Sequence, residues 1–531
     1  MQTVSENWKN AHKQTLLNES YVEVSLNITD PDAIADASPH DNGAVYISNS
    51  SGLTNGVDRS PTPYCTLEQN LWLLDGGRKA IPESENGDDG YVSDAMSDEV
   101  CVFSSKTPSI TISFSRTFNN LVPGVTITWS TAYNEFADSF VVTAYRGETV
   151  IAEKEVIGNR SVKSLVLVDI VDYDRIVIQI KKWCLPYHRA RVEEIFVGMN
   201  KVYSKKELFD YSHSQSVDPL STSLPKTEIK FSIDNVEGEY NPYNEQGMAK
   251  YLMERQEVTA RYGLKLNDGS IEWIKGGTFY LSEWYAKQNG MSADFTARDL
   301  LEFMSAIYEE THNLTSRNLY DLAELVLMRA DLPLNTDGTV RWVIDESLKA
   351  ITTVAPLPRD TLANCLQVIA NAGRCVLYQD RSGVLHIEPL KFEVSDYAIS
   401  TFNSYSKPEI TLSKSLKQVN VKVHQYVMSD KGAESSSATE VAVTVGNMGE
   451  TIVIDNPLVV SEDMAQALGS WVATHLSHRM TLDSSWRADV RLDALDIVTN
   501  ENGYNTNNVR MTEVEFKFNG AFRGTGEGKV I

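Results

Sequence analysis

The sequence predicts a mainly β protein with α+β parts, and three observations lead to that fold class. In the range 208–300 apolar and polar residues alternate, so that Ile229, Phe231 and Ile233 share one face of a predicted strand. In the range 64–198 short apolar runs are separated by turn residues. Helical periodicity is limited to a short N-terminal stretch and to parts of the C-terminal half. Antiparallel strands that close on themselves are therefore the expected framework.

The length and composition indicate a globular protein of several domains. A chain of 531 residues is too long for one hydrophobic core, and roughly three or four domains are expected. Hydrophobic residues make up 42% and charged residues 23% of the chain, which is ordinary for folded proteins. The chain can therefore bury several separate cores.

The charge excludes two classes of partner. A net charge of -24 at pH 7 opposes nucleic-acid binding, because attraction to phosphates requires a basic surface. No apolar run is long enough for a membrane helix, and the first residues lack a basic start followed by an apolar stretch. We therefore expect no nucleic-acid binding, no membrane insertion, and assembly in the cytoplasm.

The N-terminal region predicts one helix, one strand and a linker. Ser5 can cap a helix that runs to about Leu17. The range 21–28 alternates as a strand. The range 29–63 is rich in Asp, Ser, Asn, Gly and Pro and is interpreted as linker or surface loop.

The range 64–200 predicts a β-sandwich, because short strands recur there with turn chemistry between them. Its strand rhythm is similar to that of jelly-roll carbohydrate-binding modules. Sugar binding needs exposed aromatic faces, and Trp129, Tyr133, Trp183 and Tyr187 lie at or near predicted strand ends. They are the candidate glycan contacts. The alternative is that these four side chains are core or interface aromatics.

The range 201–310 predicts a β-barrel. Alternation over 258–266 gives one strand, and Asn267-Asp268-Gly269 supplies a hairpin turn into a strand at 271–274. Two further strands are expected at 278–284 and 293–299.

The remainder of the chain predicts a helix-rich α+β domain and then a second barrel. In the range 311–400, helices are expected after Thr315 or Ser316 and from Asp360, with a hairpin around Asp380-Arg-Ser-Gly383. In the range 401–531, strands accompany a helix over 461–478.

Several of these stretches resemble the tail hub proteins of bacteriophages, also called baseplate hub or tail-tip proteins. The resemblance is carried by the motifs that begin at Asp234, Glu254, Gly276 and Phe295 and by the run Trp486–Val498. The segment 64–76 is also similar to a pattern of these tail proteins. The motifs are Asp234-Asn-Val-Glu-Gly-Glu-Tyr-Asn-Pro-Tyr243, Glu254-Arg-Gln-Glu-Val258, Gly276-Gly-Thr-Phe279, Phe295-Thr-Ala-Arg-Asp299 and Trp486-Arg-Ala-Asp-Val-Arg-Leu-Asp-Ala-Leu-Asp-Ile-Val498.

The resemblance implies an architecture and a function. It implies two hub-type β-barrels, at 208–300 and 401–531, that are pseudo-equivalent and superposable, with a small α/β domain between them and the sandwich inserted into the first barrel. The predicted domains are 1–35 with the first strand of barrel 1, 36–63 as linker, 64–200, 201–310, 311–400 and 401–531. The implied role is a homotrimer that joins the sixfold tail tube to the threefold tip or spike.

The implied partners follow from that role. They are the tail tube or distal tail protein, the spike or tip protein, and the tape measure protein, with host-surface glycan as a further ligand of the sandwich. The implied location is the distal tip of the virion tail, assembled in the cytoplasm of a bacterial host. Two alternatives remain, a carbohydrate-binding adhesin that works through the sandwich and a cell-wall hydrolase.

Catalysis is not expected. His475 and His478 lie three residues apart on the predicted helix, but no His-Glu-x-x-His motif or third ligand accompanies them. The sequence contains no Gly-x-Ser-x-Gly elbow and no phosphate-binding Gly-Lys-Ser/Thr loop. The five cysteines are widely spaced, which favours reduced and mostly buried thiols. We expect no enzyme activity, no cofactor and no metal.

Overall fold

The computed structural model describes residues 1–15, 18–45, 47–56, 90–286, 290–310, 314–335, 339–429 and 432–531. The predicted fold class, mainly β with α+β parts, is confirmed. Strands from the N-terminal and C-terminal parts of the chain join in one 14-stranded sheet. One buried core lies under both halves of that sheet. The two predicted barrel regions are therefore physically continuous.

The chain begins with helix α1 (Glu6–His12) and strand β1 (Ser20–Ile28). The hydroxyl of Ser5 caps α1 by accepting a hydrogen bond from Trp8 N. Alternate residues of β1 are buried, because one face of the strand covers the core. The predicted cap and strand are thus present. The predicted end of the helix, at Leu17, lies outside the described residues.

The inserted region contains three sheets around one core. Its elements are α2 (Pro31–Asp36), β2 (Ser38–Asp41), β3 (Tyr91–Met96), β4 (Ser109–Phe118), β5 (Val122–Thr128), β6 (Ala137–Arg146), β7 (Thr149–Ile157), β8 (Lys163–Ile170), β9 (Tyr173–Trp183), β10 (Arg189–Val192) and β11 (Glu194–Val197). The strand orders are β2-β4-β9-β6-β7 in a five-stranded sheet, β11-β5-β8 in a three-stranded sheet and β10-β3 in a two-stranded sheet. Residues of all three sheets pack into a single apolar cluster.

The interpretation of 36–63 as a linker is wrong for its described part. Strand β2 pairs with β4 and so belongs to the five-stranded sheet. Leu53 is fully buried in the core of the inserted region. The sequence concealed this strand because only Pro39 of its four residues is buried, so no apolar alternation marks it. The segment 57–76, including the predicted start of the sandwich, lies outside the described residues.

The inserted region is attached to the barrel by a short, hydrogen-bonded connection. Ile28 at the end of β1 pairs with Met199 on the returning strand. The Thr29 hydroxyl donates to the carbonyl of Val197, and Gln256 Nε2 of the barrel donates to Thr29 O at 3.0 Å. The inserted region therefore leaves and re-enters the first barrel at neighbouring points.

The barrel strands that follow are β12 (Met199–Tyr203), β13 (Leu208–Ser216), β14 (Lys226–Asp234), β15 (Glu257–Lys265), β16 (Ile271–Ala286) and β17 (Ser292–Arg298). The two strands predicted at 271–274 and 278–284 are one strand, β16. Gly276 and Gly277 form a bulge rather than a turn, and Gly277 has a φ of +147°. A Cβ at Gly276 would lie 2.9 Å from the Ala260 backbone, so the two strands can approach only because this residue is glycine.

The α+β region consists of β18 (Arg317–Asn318), α3 (Leu319–Arg329), β19 (Trp342–Ile344), β20 (Thr352–Thr353), α4 (Leu362–Ala372), β21 (Val376–Gln379) and β22 (Leu385–Glu388). The predicted caps are close to those observed: Asn318 caps α3 and Thr361 caps α4. Both helices pack with a small sheet of order β19-β22-β21 around a separate core.

The C-terminal region contains β23 (Val394–Ile399), β24 (Glu409–Leu412), β25 (Leu416–Ser429), β26 (Gly432–Thr444), β27 (Glu450–Ile454), α5 (Glu462–Ser477), β28 (Met480–Arg487), β29 (Ile497–Glu501), β30 (Thr506–Met511), β31 (Glu513–Phe518) and β32 (Phe522–Val530). Strands β25 to β27 form their own sheet beneath α5 and enclose their own core. The other strands join the large sheet. Residues of the range 401–531 therefore contribute to two cores, the one under the large sheet and the one beneath α5.

The two barrel regions share one strand order. In the first, the spatial order is β1-β15-β16-β17-β14-β13. In the second, it is β23-β29-β30/β31-β32-β28-β24, where β30 and β31 together correspond to the long, bulged β16. Both sets of strands also follow the chain in the same sequence. One difference is that β23 runs parallel to β29, whereas β1 runs antiparallel to β15. Superposition of the two backbones stays a prediction.

Candidate functional site at the junction of the two barrels

The two barrels meet side by side through a pair of antiparallel strands. Strand β13 of the first barrel pairs with β31 of the second over six residue pairs, from Tyr211 with Phe518 to Ser216 with Glu513. Beneath this joint the Tyr262 ring of barrel 1 contacts the Phe522 ring of barrel 2, with centroids 5.2 Å apart. The junction is therefore a shared sheet above a shared core.

Arg381 forms hydrogen bonds that connect the α+β region to both barrels. It lies in the turn between β21 and β22 and is 4% exposed. Its Nη1 donates to Lys275 O of barrel 1 at 3.0 Å, and its Nη2 donates to Leu492 O of barrel 2 at 2.9 Å. Its Nε donates to Asp493 Oδ1 at 2.6 Å. A charge-assisted network of this kind fixes the α+β region against both barrels.

Asp493 is the partner that makes burial of this arginine tolerable. Burial is the largest single effect and opposes its charged form, but Arg381, the N-terminal ammonium and Gln2 together outweigh burial, so that the pKa of Asp493 lies below its ordinary value. Its oxygens also accept hydrogen bonds from Gln2 Nε2 at 3.0 Å and from Gln215 Nε2 at 3.2 Å. Both oxygens of this largely buried carboxylate thus accept hydrogen bonds.

A second aspartate of the same segment, Asp489, holds the N-terminal helix against barrel 2. Asp489 is fully buried and accepts two contacts from Arg491, at 2.8 Å from Nε and 2.6 Å from Nη2. The indole Nε1 of Trp8 on α1 donates to Asp489 Oδ1 at 3.4 Å. Although burial opposes ionisation, His12 and Arg491 keep the pKa of Asp489 below its ordinary value. The aspartates of the run Trp486–Val498 therefore hold separate elements to barrel 2.

A chain of neutral side chains continues the junction into barrel 1. Tyr211 and Tyr262 share a hydrogen bond at 2.7 Å, and the Tyr262 hydroxyl lies 2.9 Å from His213 Nδ1. Burial, with a further contribution from Arg381, lowers the pKa of His213 to about 3. The imidazole is therefore uncharged at pH 7, and it serves as a hydrogen-bonding core residue.

Sequence reasoning singled out the run Trp486–Val498 but not Arg381. Trp486 is fully buried and lies opposite Gly524, where a Cβ would approach its ring to 2.7 Å. The spacing of Asp489 and Asp493 thus has a structural explanation. Arg381 gave no signal, because an arginine in a tight turn is ordinarily solvated.

The four predicted glycan contacts do not form one exposed surface. Trp129 and Trp183 are fully buried, with ring centroids 6.1 Å apart, and their indole nitrogens donate to Ser164 and Glu135. The alternative of core aromatics therefore holds for both tryptophans, whose hydrogen-bonded indoles satisfy their only polar group. Their prediction as sugar-stacking faces is wrong.

The two tyrosines of that set lie nearer the surface. Tyr133 is half-buried beneath the Arg191 guanidinium, 4.7 Å from its ring centroid, and Tyr187 is 38% exposed. One open tyrosine and one covered tyrosine do not make the aromatic platform that sugar binding requires. A glycan role for Tyr133 and Tyr187 stays a prediction.

The described residues contain no group of three His, Cys, Asp or Glu side chains placed to hold a metal ion. Cys365 and Cys375 are buried thiols, whereas Cys101 and Cys184 are half-buried, and none of these four forms a disulfide. Cys65 lies outside the described residues. Within the described part of the chain, no helix is long and apolar enough to cross a membrane.

Comparison with known proteins gives matches in structure. No family model and no curated protein matches the chain. The chain is similar to a 43 kDa tail protein of prophage MuSo2 from Shewanella oneidensis (12% identity, 62% of this chain and 95% of that one, TM-score 0.43). It is also similar to a tail protein from Neisseria meningitidis MC58 (10% identity, 63% and 94%, TM-score 0.42) and to prophage tail protein gp18 from Listeria monocytogenes EGD-e (11% identity, 62% and 91%, TM-score 0.38).

Proposed function

We propose that the protein is a structural, non-enzymatic hub at the distal end of a bacteriophage tail or phage-like particle, where a homotrimer joins the sixfold tail tube to the threefold tip. The observation that supports this most directly is the shared strand order of two barrels that stand side by side in one chain. The motifs that resemble tail hubs lie in these same barrels. Three such chains supply six equivalent barrels for one ring.

We expect the joint between chains to have the same strand pairing as the β13–β31 joint within the chain. In the shared strand order, β13 corresponds to β24, and β31 corresponds to the second half of β16. If neighbouring barrels around the ring are equivalent, then β24 of one subunit pairs with the second half of β16 in the next subunit, as β13 pairs with β31.

Both proposed edges are open in the isolated chain. All four residues of β24 are exposed, including Ile410 (46%) and Leu412 (62%), and among the described residues the strand pairs with β28 alone. In the second half of β16, Tyr285 is 60% exposed, and the described residues place a strand on one side of it, β17. Apolar side chains on an unpaired strand edge favour pairing with another chain.

The same repeat accounts for two symmetries in one ring. The barrels are equivalent, so their shared surface offers tube or distal tail subunits a sixfold pattern. Barrel 1 alone carries the inserted sandwich, and barrel 2 alone carries β25 to β27 with α5. The surfaces that these insertions form are therefore threefold and suit a tip or spike. The tape measure protein would occupy the channel of such a ring.

A cysteine cross-link tests the proposed joint. The double variant Thr411→Cys/Tyr285→Cys should form covalent trimers on mild oxidation, because each chain offers both edges. The matched control Ser214→Cys/Glu515→Cys places cysteines at opposed positions of the joint within the chain, and its disulfide should leave the chain monomeric on a denaturing gel. A native chain that sediments as a monomer at micromolar concentration, with no cross-linked species, would refute the proposal.

We propose a bracing role for the sandwich rather than glycan binding. Asp169 of the sandwich accepts hydrogen bonds from Tyr251 and from Lys250 of barrel 1, the latter at 3.1 Å. Together with the short connection at Ile28, this contact restricts movement of the sandwich relative to the barrel. Deletion of the sandwich should leave trimer formation intact. An adhesin would lose its function with that deletion, and a hydrolase would release fragments from purified peptidoglycan.

A further inference from the structure

A groove lies between helix α5, the α+β region and the end of barrel 2. Its two lobes, of about 800 Å³ and about 40 Å³, share the side chains of His475, His478 and Arg510. Trp471 and Phe392 line the larger lobe, and Phe392 is 70% exposed. The lining of the groove is therefore partly apolar and partly basic.

Arg510 is a buried cation that has no acidic partner among the described residues. It is 6% exposed, its Nη2 donates to Lys391 O at 2.8 Å, and its Nε has no hydrogen-bond partner among the described residues. Burial alone lowers its pKa. Arg381 and Arg491 are equally buried, but each is bonded to an aspartate, and the pKa of each is raised. An unpaired buried charge costs stability unless a ligand completes it.

Further positive charge surrounds Arg510. Lys529 lies directly opposite it on the neighbouring antiparallel strand, and like charges at opposed positions repel. Burial first, and then the charges of Arg510, His478 and Lys529, lower the pKa of His475 to about 4. This cluster persists in a chain whose net charge is -24. The fold thus concentrates positive charge at one place on an acidic protein.

Asp218, an acidic residue beside the cluster, is already engaged. Asp218 lines the smaller lobe and raises the pKa of His475 slightly against the other effects. Its Oδ1 accepts from Leu220 N at 2.9 Å, and its Oδ2 accepts from Thr222 N at 2.7 Å. Asp218 therefore holds the loop that follows β13 and does not neutralise Arg510. Ile531 lines both lobes but forms no ion pair with Arg510 in the described structure.

We propose that this groove binds a protein segment that presents a carboxylate beside an apolar side chain. The carboxylate pairs with Arg510, and the apolar side chain packs on Trp471 and Phe392. Charge complementarity selects an acidic group, and the apolar wall selects a peptide over a free phosphate, which would gain nothing from Trp471. The site does not depend on the trimer proposed above, because all of its residues belong to one chain.

The test uses the full chain and two blocked peptides, acetyl-Leu-Asp-Leu-amide and its neutral counterpart acetyl-Leu-Asn-Leu-amide. Ligand-observed NMR should show the aspartate peptide binding at least about tenfold more tightly, the ratio expected from one charge-assisted hydrogen bond. Affinity for the aspartate peptide should rise as the pH falls from 7 to 5, because a bound carboxylate raises the pKa of His475. The neutral peptide should show no such trend.

Variants decide whether Arg510 carries the binding. Arg510→Met should abolish the preference for the aspartate peptide, whereas Arg523→Gln, an exposed arginine of the same barrel outside the groove, should preserve it. If Arg510→Met does not fold, Lys529→Gln should weaken the same preference about threefold, since it removes a neighbouring charge. Equal binding of the two peptides, an unchanged preference in Arg510→Met, or tighter binding of inorganic phosphate than of either peptide would overturn the proposal.

Discussion

The junction between the barrels and the groove below α5 each bury an arginine, and they treat its charge in opposite ways. At the junction, Arg381 is surrounded by Asp493 and two backbone carbonyls from different barrels. In the groove, Arg510 has one backbone carbonyl and a lysine opposite. Since both side chains are almost fully buried, burial does not distinguish them. Their hydrogen-bonding partners differ, and this difference indicates a structural role for Arg381 and an incomplete site around Arg510.

The largest expected effect is at the junction. Arg381→Met should lower the stability of the barrels by about 3 kcal/mol, because it leaves the largely buried Asp493 without its cation. The measurement is the midpoint of thermal or urea unfolding, followed by tryptophan fluorescence. The double variant Arg381→Met/Asp493→Leu should recover at least half of the loss, since an apolar pair avoids the unpaired charge. A single variant within about 0.5 kcal/mol of the native chain would show that the two regions do not differ.

The next largest effect is a pH dependence of stability that arises from His213 at the junction. His213 has a folded pKa of about 3 against an ordinary 6.5, so the unfolded chain binds more protons between these values. Stability from this group is complete above pH 6.5 and is lost, at roughly 1.4 kcal/mol per pH unit, as the pH falls towards 3. Arg381 and Asp493 act on this ring with opposite signs. The variant His213→Gln should show a smaller acid loss than the native chain.

A matched variant in the groove sharpens that result. His475→Gln removes an imidazole whose pKa is also low, about 4, but which is only half-buried. Its contribution is screened by solvent, so its pH dependence should change less than that of His213→Gln. Asp299 has the opposite effect on the pH dependence of stability in both variants. Burial raises its pKa to about 7, so acidification from pH 7 towards pH 4 favours the folded state. A larger change in His475→Gln would contradict the assigned difference between the regions.

The sequence predicted the framework of both regions because their strands alternate cleanly. Val258, Ala260, Tyr262 and Leu264 were expected on one face of a strand, and all four are buried in β15. Turn and cap residues such as Gly269 and Ser5 were likewise legible, because their conformational roles are local.

What the sequence did not reveal depends on contacts between distant residues. Nothing near Arg381 or Arg510 in the chain distinguishes a paired arginine from an unpaired one, since the groups that accept their hydrogen bonds lie more than a hundred residues away. Trp129 and Trp183 were placed correctly at strand ends, but a strand end can face the core or the solvent, and both face the core. Alternation gives the period of a strand without saying which sheet covers it.

The smallest effect has the opposite sign to the first and tests the comparison most directly. Arg510→Met should raise the stability of the isolated chain by about 1 kcal/mol, because it removes an unpaired buried charge and its repulsion from Lys529. The lost hydrogen bond to Lys391 O offsets part of that gain, which is why the rise is small. The measurement is the same unfolding midpoint, taken without peptide. The ionic strength should matter little, since the charge is buried. If Arg510→Met instead destabilised the chain as Arg381→Met does, then Arg510 would be a structural residue whose burial the fold already satisfies. The groove would then not be a binding site that lacks its ligand.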